Sequence, residues 1–256
     1  MMMKNPTFAV PLLYMLVLAL ALYVLAGIAR AGDPSAKAIR VACVGDSITY
    51  GSGVADRQHD AYPAVLGRLL GVGYDVRNFG VGGATLLKKG NKPYFKQQAH
   101  TDALAFAPDI VVIMLGTNDS KRPGTGSPEL TGSPELTGAP DNWRHKGDYV
   151  ADYENLVAEF RKANPQAKIY VCLPTPCFPG HWGISDKIIH DEIIPLIRQV
   201  AADTRADVID LNTALAGKSE FFPDTVHSNA AGAALMAATV YHALTGKDAP
   251  APASAH

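Results

Sequence analysis

Five short apolar runs separated by longer amphipathic segments form the main hydrophobic pattern of the chain. The runs cover residues 39–44, 74–79, 109–115, 168–173 and 206–211. Each has the length of a buried strand and is followed by a turn that contains Gly, Pro or Asn. Between the runs, apolar residues recur at helical spacing, as in the series Tyr62, Val65, Leu66, Leu69 and Leu70. The pattern therefore predicts strands that alternate with helices.

This alternation predicts an α/β fold. Strands connected through helices form a parallel sheet that is covered on both faces, and the unbroken apolar stretch from Ile110 to Leu115 is typical of such burial. We predict one three-layer α/β/α domain over residues 32–247, with a five-stranded parallel sheet. Ligands of such sheets bind outside the carboxyl ends of the strands, so chemistry is expected there.

The first 31 residues differ from the rest of the chain. Lys4 precedes an apolar run over residues 8–28, and Ala29-Arg30-Ala31 then provides a small-x-small cleavage site. We predict a signal peptide over residues 1–31. The alternative is an uncleaved membrane anchor, because the run is about long enough to span a bilayer. Both interpretations predict an exported protein, periplasmic or secreted. Membrane contact through residues 8–28 is expected only if the segment is uncleaved.

Two further segments are expected to lie outside the packed core. The hexapeptide Thr-Gly-Ser-Pro-Glu-Leu occurs at 125–130 and again at 131–136. Such a polar repeat buries too little surface to order itself, so a mobile loop is predicted over residues 121–141. The Ala- and Pro-rich tail at 248–256 is predicted to be disordered.

Composition excludes several classes of protein. The 256 residues include 23 Lys and Arg against 24 Asp and Glu, and a net charge of −1 argues against a nucleic-acid partner. Cys43, Cys172 and Cys177 are too few for a disulfide framework and lack zinc-ligand spacing, although Cys172 and Cys177 could close a short loop. The His and Asp residues lack metal-ligand patterns such as His-Glu-x-x-His, so we expect neither metal nor cofactor.

A serine follows the first predicted strand in the segment Gly45-Asp-Ser-Ile-Thr49. Glycine permits a sharp turn there, which exposes the Ser47 hydroxyl beside backbone N–H groups able to hold an oxyanion. An ordinary turn or capping serine is the alternative. The nucleophile elbow of α/β-hydrolases is excluded, because Thr49 stands where its second glycine is required.

Three other motifs bear on the same chemistry. Asp224-Thr-Val-His227 precedes a helix predicted to begin near Asn229, and one turn can supply both a base and the carboxylate that orients it. Asn118, directly after the third strand, carries an amide that could donate to an oxyanion. The Gly-rich segment at 78–85 offers unobstructed backbone N–H groups. The alternatives are a noncatalytic His, a turn Asn and a plain Gly-rich loop.

Together the four segments resemble the four sequence blocks of the SGNH (GDSL-like) hydrolases, in the family's order and at strand ends one, two, three and five. The resemblance implies a flavodoxin-like fold and a catalytic triad of Ser47, Asp224 and His227. It also implies an oxyanion hole formed by the N–H groups of Ser47 and Gly83 and the side chain of Asn118. One departure is Ser228-Asn229, where many members have Pro; neither side chain is catalytic.

The resemblance leaves the substrate open, because the family spans lipases, thioesterases and carbohydrate deacetylases. The Ser47 and Asn118 blocks resemble those of exported bacterial carbohydrate O-acetylesterases, so we expect a small-molecule or glycan ester as substrate. Trp143, His181 and Trp182 lie in the loops after strands three and four and could stack on sugar rings, although packing in the core or at the rim is the more common role of a Trp. The alternatives are a lysophospholipase or short-chain arylesterase with the same triad, and a catalytically silent carbohydrate-binding module.

Overall fold

The computed structural model describes residues 37–123, 140–178 and 183–250. The predicted leader, the hexapeptide repeat, and the candidate residues His181 and Trp182 lie outside these ranges, and the predicted tail is described only to Pro250. All described helices and strands lie in one compact unit, Ala38–His256. Among those helices, none combines the length and apolar character needed to cross a membrane.

Five parallel strands form a single sheet. They are β1 (Ile39–Gly45), β2 (Tyr74–Gly80), β3 (Ile110–Met114), β4 (Lys168–Leu173) and β5 (Asp207–Asp210). Their order across the sheet is β2-β1-β3-β4-β5, the order of flavodoxin-like folds, and all four strand pairings are parallel. The prediction of a five-stranded parallel α/β fold is therefore confirmed.

Helices connect the strands and cover the sheet. They are α1 (Ser47–Tyr50), α2 (Arg57–Asp60), α3 (Tyr62–Leu70), α4 (Gln98–Ala105), α5 (Tyr149–Ala163), α6 (Asp186–Ile188), α7 (Ile194–Thr204), α8 (Leu211–Leu215) and α9 (Ala230–Thr245). A π-helical turn, Ile189–Ile193, joins α6 to α7. Short 3-10 helices cover Tyr94–Lys96, Asn118–Ser120, Trp143–Asp148 and Ser219–Phe221.

Successive side chains of a strand point to opposite faces of the sheet, and so pack into two separate hydrophobic cores. On β1, Ala42 and Val44 pack into a cluster beneath α4, α5 and α7, whereas Val41 and Cys43 point into a cluster beneath α3 and α9. All four are fully buried. A strand buried on both faces has a fixed register, since a one-residue slip would exchange its two faces. The end of β1, where the candidate serine lies, is therefore held by both cores.

Two glycines let α1 approach the sheet closely. A Cβ atom on Gly45 of β1 would lie 2.8 Å from the Cβ of Thr49, and one on Gly80 of β2 would lie 2.2 Å from the amide nitrogen of Tyr50. Real Cβ atoms do not tolerate such distances, so larger residues would push α1 away from β1 and β2. The glycines thus set the position of the helix that begins with Ser47.

Candidate functional site

A cleft of about 360 Å³ opens at the carboxyl ends of the strands, the edge at which ligands bind in parallel sheets. Its size is within the range of small-molecule sites. The described residues that line it are Ser47, Ser52, Gly82, Gly83, Asn118, Lys121, Ile184, Asp224 and His227. The structure thus brings all five residues of the predicted triad and oxyanion hole to one place.

Ser47 is the first residue of α1 and lies directly after the end of β1. The Asp46 side chain caps this helix, with Oδ1 accepting the amide of Ile48 at 2.9 Å. Ser47 is 9% exposed, and its Oγ lies 2.8 Å from Nε2 of His227. The hydroxyl therefore faces a potential proton acceptor at hydrogen-bond distance.

His227 and its carboxylate partner, Asp224, both lie in the turn before α9. Nδ1 of His227 lies 2.6 Å from Oδ2 of Asp224. Oδ1 of Asp224 accepts the amides of His227 at 2.7 Å and of Val226 at 3.0 Å. Burial acts to raise the pKa of Asp224, but these hydrogen bonds outweigh it and hold the pKa below its ordinary value. The carboxylate form is thus favoured next to the imidazole.

Backbone strain shapes the same turn. Thr225 has a φ of 73°, a left-handed conformation that costs a β-branched residue about 1–3 kcal/mol. Its carbonyl accepts the amide of Phe178 at 2.9 Å, and its own amide donates to Phe222 at 2.9 Å. The segment that follows α1 also approaches this turn, since a Cβ on Gly53 would lie only 2.9 Å from the Cβ of His227. The loop after α1 is therefore packed closely against the histidine.

Asn118 and Gly83 also belong to the wall of the cleft. Asn118 is 3% exposed, and its Nδ2 donates to the carbonyl of Ala84 at 3.1 Å, with a longer contact of 3.4 Å to Oδ2 of Asp46. Gly83 has a φ of 76°, which only glycine adopts without cost. One N–H of the Asn118 amide is thus anchored, while the other is only weakly engaged.

Two buried carboxyl groups behind this wall were missed by the sequence reasoning. Asp119 accepts the amides of Leu87 at 2.7 Å and Leu86 at 2.9 Å, and so fastens the loop after the Gly-rich segment to the end of β3. Burial raises the pKa of Asp119 to about 7 and that of Asp46 to about 6. Asp46 lies in the segment from Gly45 to Thr49 and Asp119 directly follows Asn118, but their partners are visible only in three dimensions.

Asn142 is a third residue whose role the sequence did not reveal. It is 2% exposed, and its Nδ2 donates to the carbonyl of Asn118 and to Oδ1 of Asn91, both at 2.8 Å. Its Oδ1 accepts the amide of Asn91 at 2.9 Å. Asn142 therefore holds the backbone of Asn118 from behind. No local motif distinguishes it from a loop asparagine.

The structure does not bring Trp143 to the cleft, which corrects the expectation that it stacks on a sugar. The residue is 2% exposed and belongs to the core cluster beneath α5. Its ring packs edge-to-face on Tyr149, with centroids 5.4 Å apart, and its Nε1 donates to Glu192 at 3.0 Å. No ring face is available to a ligand, so Trp143 is a packing residue.

The three cysteines add no further chemistry to the site. Cys43, Cys172 and Cys177 are buried free thiols, so Cys172 and Cys177 do not form a disulfide. Burial raises the pKa of Cys43 to about 12, which makes it unreactive. Within residues 37–123, 140–178 and 183–250, no group of three His, Cys, Asp or Glu side chains could hold a metal ion.

Comparison with known proteins connects this geometry to one family. The model of the GDSL-like lipase/acylhydrolase family matches residues 43–235. An acetylxylan esterase of Xylanibacter ruminicola is 39% identical over 229 residues, which are 82% of this chain and 44% of the relative. The chain thus spans less than half the length of that curated protein.

Solved structures share the fold at lower sequence identity. The aryl esterase of M. smegmatis is 18% identical, with a TM-score of 0.60 over 82% of this chain and 99% of its own. A carbohydrate acetylesterase of Sinorhizobium meliloti is 19% identical, with a TM-score of 0.56 over 81% of this chain and 99% of its own. These likenesses establish a common architecture.

Proposed function

Because the chain belongs to the GDSL-like lipase/acylhydrolase family, we propose that it is a serine ester hydrolase that removes short acyl groups from carbohydrates, mainly O-acetyl groups. The observation that carries the proposal is the continuous hydrogen-bonded series from Ser47 Oγ to His227 Nε2, at 2.8 Å, and from His227 Nδ1 to Asp224 Oδ2, at 2.6 Å. This is the arrangement that nucleophile, base and orienting carboxylate require.

In the first half of the reaction, Ser47 Oγ attacks the ester carbonyl while Nε2 of His227 takes its proton. The Asp224 carboxylate holds the ring with its N–H on Nδ1 and stabilises the imidazolium that forms. The imidazolium then gives its proton to the departing sugar oxygen. The products of this half are a free sugar hydroxyl and an acetyl group bound to Ser47 as an ester.

The tetrahedral intermediate places a negative charge on the former carbonyl oxygen. We assign its donors to the backbone N–H groups of Ser47 and Gly83 and to the side chain of Asn118. The hydrogen bond from Asn118 to Ala84 orients the amide, and the N–H engaged only at 3.4 Å can turn to the oxyanion. Donors arranged in advance stabilise the transition state without reorganisation.

In the second half, water replaces the sugar. His227 takes a proton from the water, which attacks the acetyl carbon, and the same oxyanion donors hold the second tetrahedral intermediate. The proton then passes from Nε2 to Ser47 Oγ, and acetic acid leaves and releases its own proton to solvent as acetate. The cycle consumes one water and restores the free enzyme.

The preference for short acyl groups and sugars rests on two supports. The 39% identical relative is an acetylxylan esterase. Of the described residues that line the cleft, Ile184 is the one large apolar side chain, so a long acyl chain finds little apolar surface there. A lysophospholipase or a general short-chain arylesterase with the same triad is the main alternative. A silent carbohydrate-binding module is the third.

The decisive experiment is a profile of kcat/KM against acyl length and alcohol. Acetyl, butyryl and octanoyl esters of p-nitrophenol are compared with acetylated xylo-oligosaccharides and a lysophospholipid, for the wild type, Ser47→Ala and the exposed matched control Ser219→Ala. We expect acetyl esters and the acetylated sugars to be best. Ser47→Ala should lose several orders of magnitude in rate and Ser219→Ala almost none.

The alternatives give different results. Octanoyl or lysophospholipid esters would be the best substrates of a lipase-like enzyme, and equal rates on all short esters would indicate a general arylesterase. A Ser47→Ala protein that is folded and fully active would refute the triad. A protein that binds xylo-oligosaccharides but hydrolyses none of the esters would be a binding module.

We also propose that the enzyme is exported through residues 1–31, as the small-x-small site indicates. N-terminal sequencing of the protein recovered from the producing cells tests this. A mature chain that begins after Ala31 supports cleavage. An intact N-terminus in the membrane fraction indicates the anchor, and an intact N-terminus in the cytosol contradicts export.

A further inference from the structure

Lys121 is a charged residue in the wall of the cleft to which the proposed mechanism gives no role. It follows the 3-10 helix Asn118–Ser120, and its side chain is half-buried. Within the described part of the chain, its ammonium group makes no hydrogen bond or ion pair. The other charged residues lining the cleft, Asp224 and His227, are bonded to each other. Lys121 is therefore the cation that remains available to a ligand.

The backbone of Lys121 is firmly held. Its carbonyl accepts the amide of Asn142 at 3.0 Å, and its amide donates to the carbonyl of Asn118 at 3.4 Å. The base of the side chain thus has a fixed position relative to the proposed oxyanion donor. A group that is placed before binding loses less entropy when the ligand arrives.

Burial also makes an unpaired ammonium unfavourable here. It lowers the pKa of Lys121, and the negative charge of Asp46 only partly opposes this effect. An anion bound next to Lys121 would compensate the lost hydration directly. The environment therefore favours a ligand with a negative charge over a neutral one.

A second lysine lies near the same wall. Lys92 is exposed, and its Nζ donates to the carbonyl of Gly82 at 2.7 Å. Gly82 and Gly83 both line the cleft, so this contact keeps a second ammonium group at its rim. Positive charges in the lining and at the rim of a cleft attract anions and raise their rate of encounter.

We propose that Lys121 binds a sugar carboxylate, so that the substrate is an O-acetylated glycan that carries uronic acid. This inference rests on the proposed esterase function and adds the chemical class of the alcohol part. Lys121 contacts the carboxylate directly, and Lys92 contributes attraction at the rim. The phosphate of a lysophospholipid offers a similar charge, but its long acyl chain would find only Ile184 among the large apolar side chains described in the lining.

The test compares two substrates that differ in one charge. Xylo-oligosaccharides with a glucuronic acid side group are divided, one half is reduced at the carboxyl group to neutral glucose, and both halves are then chemically acetylated. The rate of acetate release gives kcat/KM for each, and the ratio of acidic to neutral substrate is the readout. A lysophospholipid serves as a third substrate.

The matched variants are Lys121→Met and Lys89→Met. Lys89 is exposed, pairs with Asp148 at 2.9 Å and does not line the cleft, so its substitution removes the same charge elsewhere. We expect the wild type and Lys89→Met to favour the acidic substrate by about tenfold or more. The ratio should fall to about one in Lys121→Met, as removal of a charge-assisted contact predicts.

Binding without turnover separates this inference from the proposed function. The deacetylated acidic and neutral oligosaccharides are titrated calorimetrically into Ser47→Ala and into Ser47→Ala with Lys121→Met. Tighter binding of the acidic sugar that disappears with Lys121→Met supports the carboxylate site, even if no ester is hydrolysed and the esterase proposal fails.

Other outcomes overturn the inference. If esters are hydrolysed without preference for the acidic sugar, the enzyme is an esterase but Lys121 does not select a carboxylate. If Lys121→Met lowered kcat/KM equally on the acidic and the neutral substrate, Lys121 would act as a counterion of Asp46 and not as a carboxylate site. If a lysophospholipid were the best substrate, Lys121 would bind its phosphate instead.

Discussion

Two buried asparagines, Asn118 and Asn142, allow stability and catalysis to be separated by mutation. The side chain of Asn118 faces the cleft, whereas that of Asn142 holds the backbone carbonyl of Asn118 from behind at 2.8 Å. We predict that Asn118→Ala damages turnover far more than stability. Asn142→Ala should have the opposite effect.

The magnitude for Asn142→Ala follows from its side-chain hydrogen bonds. It loses three, to the carbonyl of Asn118, to Oδ1 of Asn91 and from the amide of Asn91, at 2.8, 2.8 and 2.9 Å. At about 1 kcal/mol each, the loss is roughly 3 kcal/mol, and the unpaired carbonyl of Asn118 increases it. For a domain of this size each kcal/mol lowers Tm by about 2–4 °C, so a decrease of roughly 6–12 °C is expected.

The magnitude for Asn118→Ala is different. Its side chain makes one hydrogen bond of ordinary length, 3.1 Å to Ala84, and the 3.4 Å contact to Asp46 adds little. A loss of about 1 kcal/mol lowers Tm by only about 2–4 °C. If Asn118 is an oxyanion donor, its removal lowers kcat by about 10² to 10³ with little change in KM.

The assay is thermal unfolding followed by steady-state hydrolysis of p-nitrophenyl acetate, with Asn91→Ala as the control. Asn91 is exposed, and its truncation removes only the 2.8 Å bond from Asn142, so about 1 kcal/mol is expected. If Asn118→Ala raised KM at unchanged kcat, Asn118 would be a substrate contact instead. If Asn142→Ala left Tm unchanged, the hydrogen-bond reasoning would be wrong.

Four further predictions concern charge, pH and loop length. In Asp224→Asn the rate on p-nitrophenyl acetate should fall by about 10⁴ at every pH, because the amide cannot hold the tautomer of His227; full recovery at another pH would contradict this. In the wild type kcat/KM should rise from acid to neutral pH, because a general base must be unprotonated to accept the proton of Ser47, and a profile that rises toward acid would exclude His227 as the base. Burial raises the pKa of Asp46 from 3.8 to about 6, so the native state holds more protons than the unfolded chain between about pH 4 and 6 and loses stability as pH rises through that interval. Urea unfolding should give a free energy of unfolding that is lower at pH 7 than at pH 4 by up to roughly 3 kcal/mol. The difference should be smaller in Asp46→Asn. An equally large difference in that variant would refute the assignment to Asp46. Deletion of residues 131–136 should change Tm little, because the sequence predicts that the repeat lies in a loop outside the packed core, and each factor of two in loop length changes the free energy by only about 0.6 kcal/mol. A large decrease in Tm would contradict that prediction.

Much of the fold could be predicted because its signals are local. The first strand was predicted at 39–44 and is Ile39–Gly45, and the third was predicted at 109–115 and is Ile110–Met114. Apolar runs and turn residues are read within about ten neighbouring positions, and burial on both faces keeps these runs free of polar residues. The last strand is shorter than predicted, because Leu211 already begins α8.

The candidate site could be predicted only in part. Gly-Asp-Ser and Asp-x-x-His are short motifs, so Ser47 and His227 were identifiable from their neighbours. Trp143 was a candidate for a sugar site because an aromatic ring can either pack in a core or stack on a sugar. Its burial in the structure shows that it packs in the core. Asn142 gave no local signal, since a loop asparagine acquires meaning only through its partners.

The sequence by itself determined the order of strands and helices, the positions of the four motifs and the family to which they belong. The tertiary structure alone decided distances between residues remote in sequence: Ser47 and His227 are 180 positions apart yet lie 2.8 Å from each other. It alone placed the Asp119 carboxylate against the amides of Leu86 and Leu87. It also left the ammonium group of Lys121 without a hydrogen bond or ion pair to the described residues. The physical reason is that periodicity and turn chemistry act between chain neighbours, whereas burial, hydrogen-bond partners and pKa depend on which segments packing brings together.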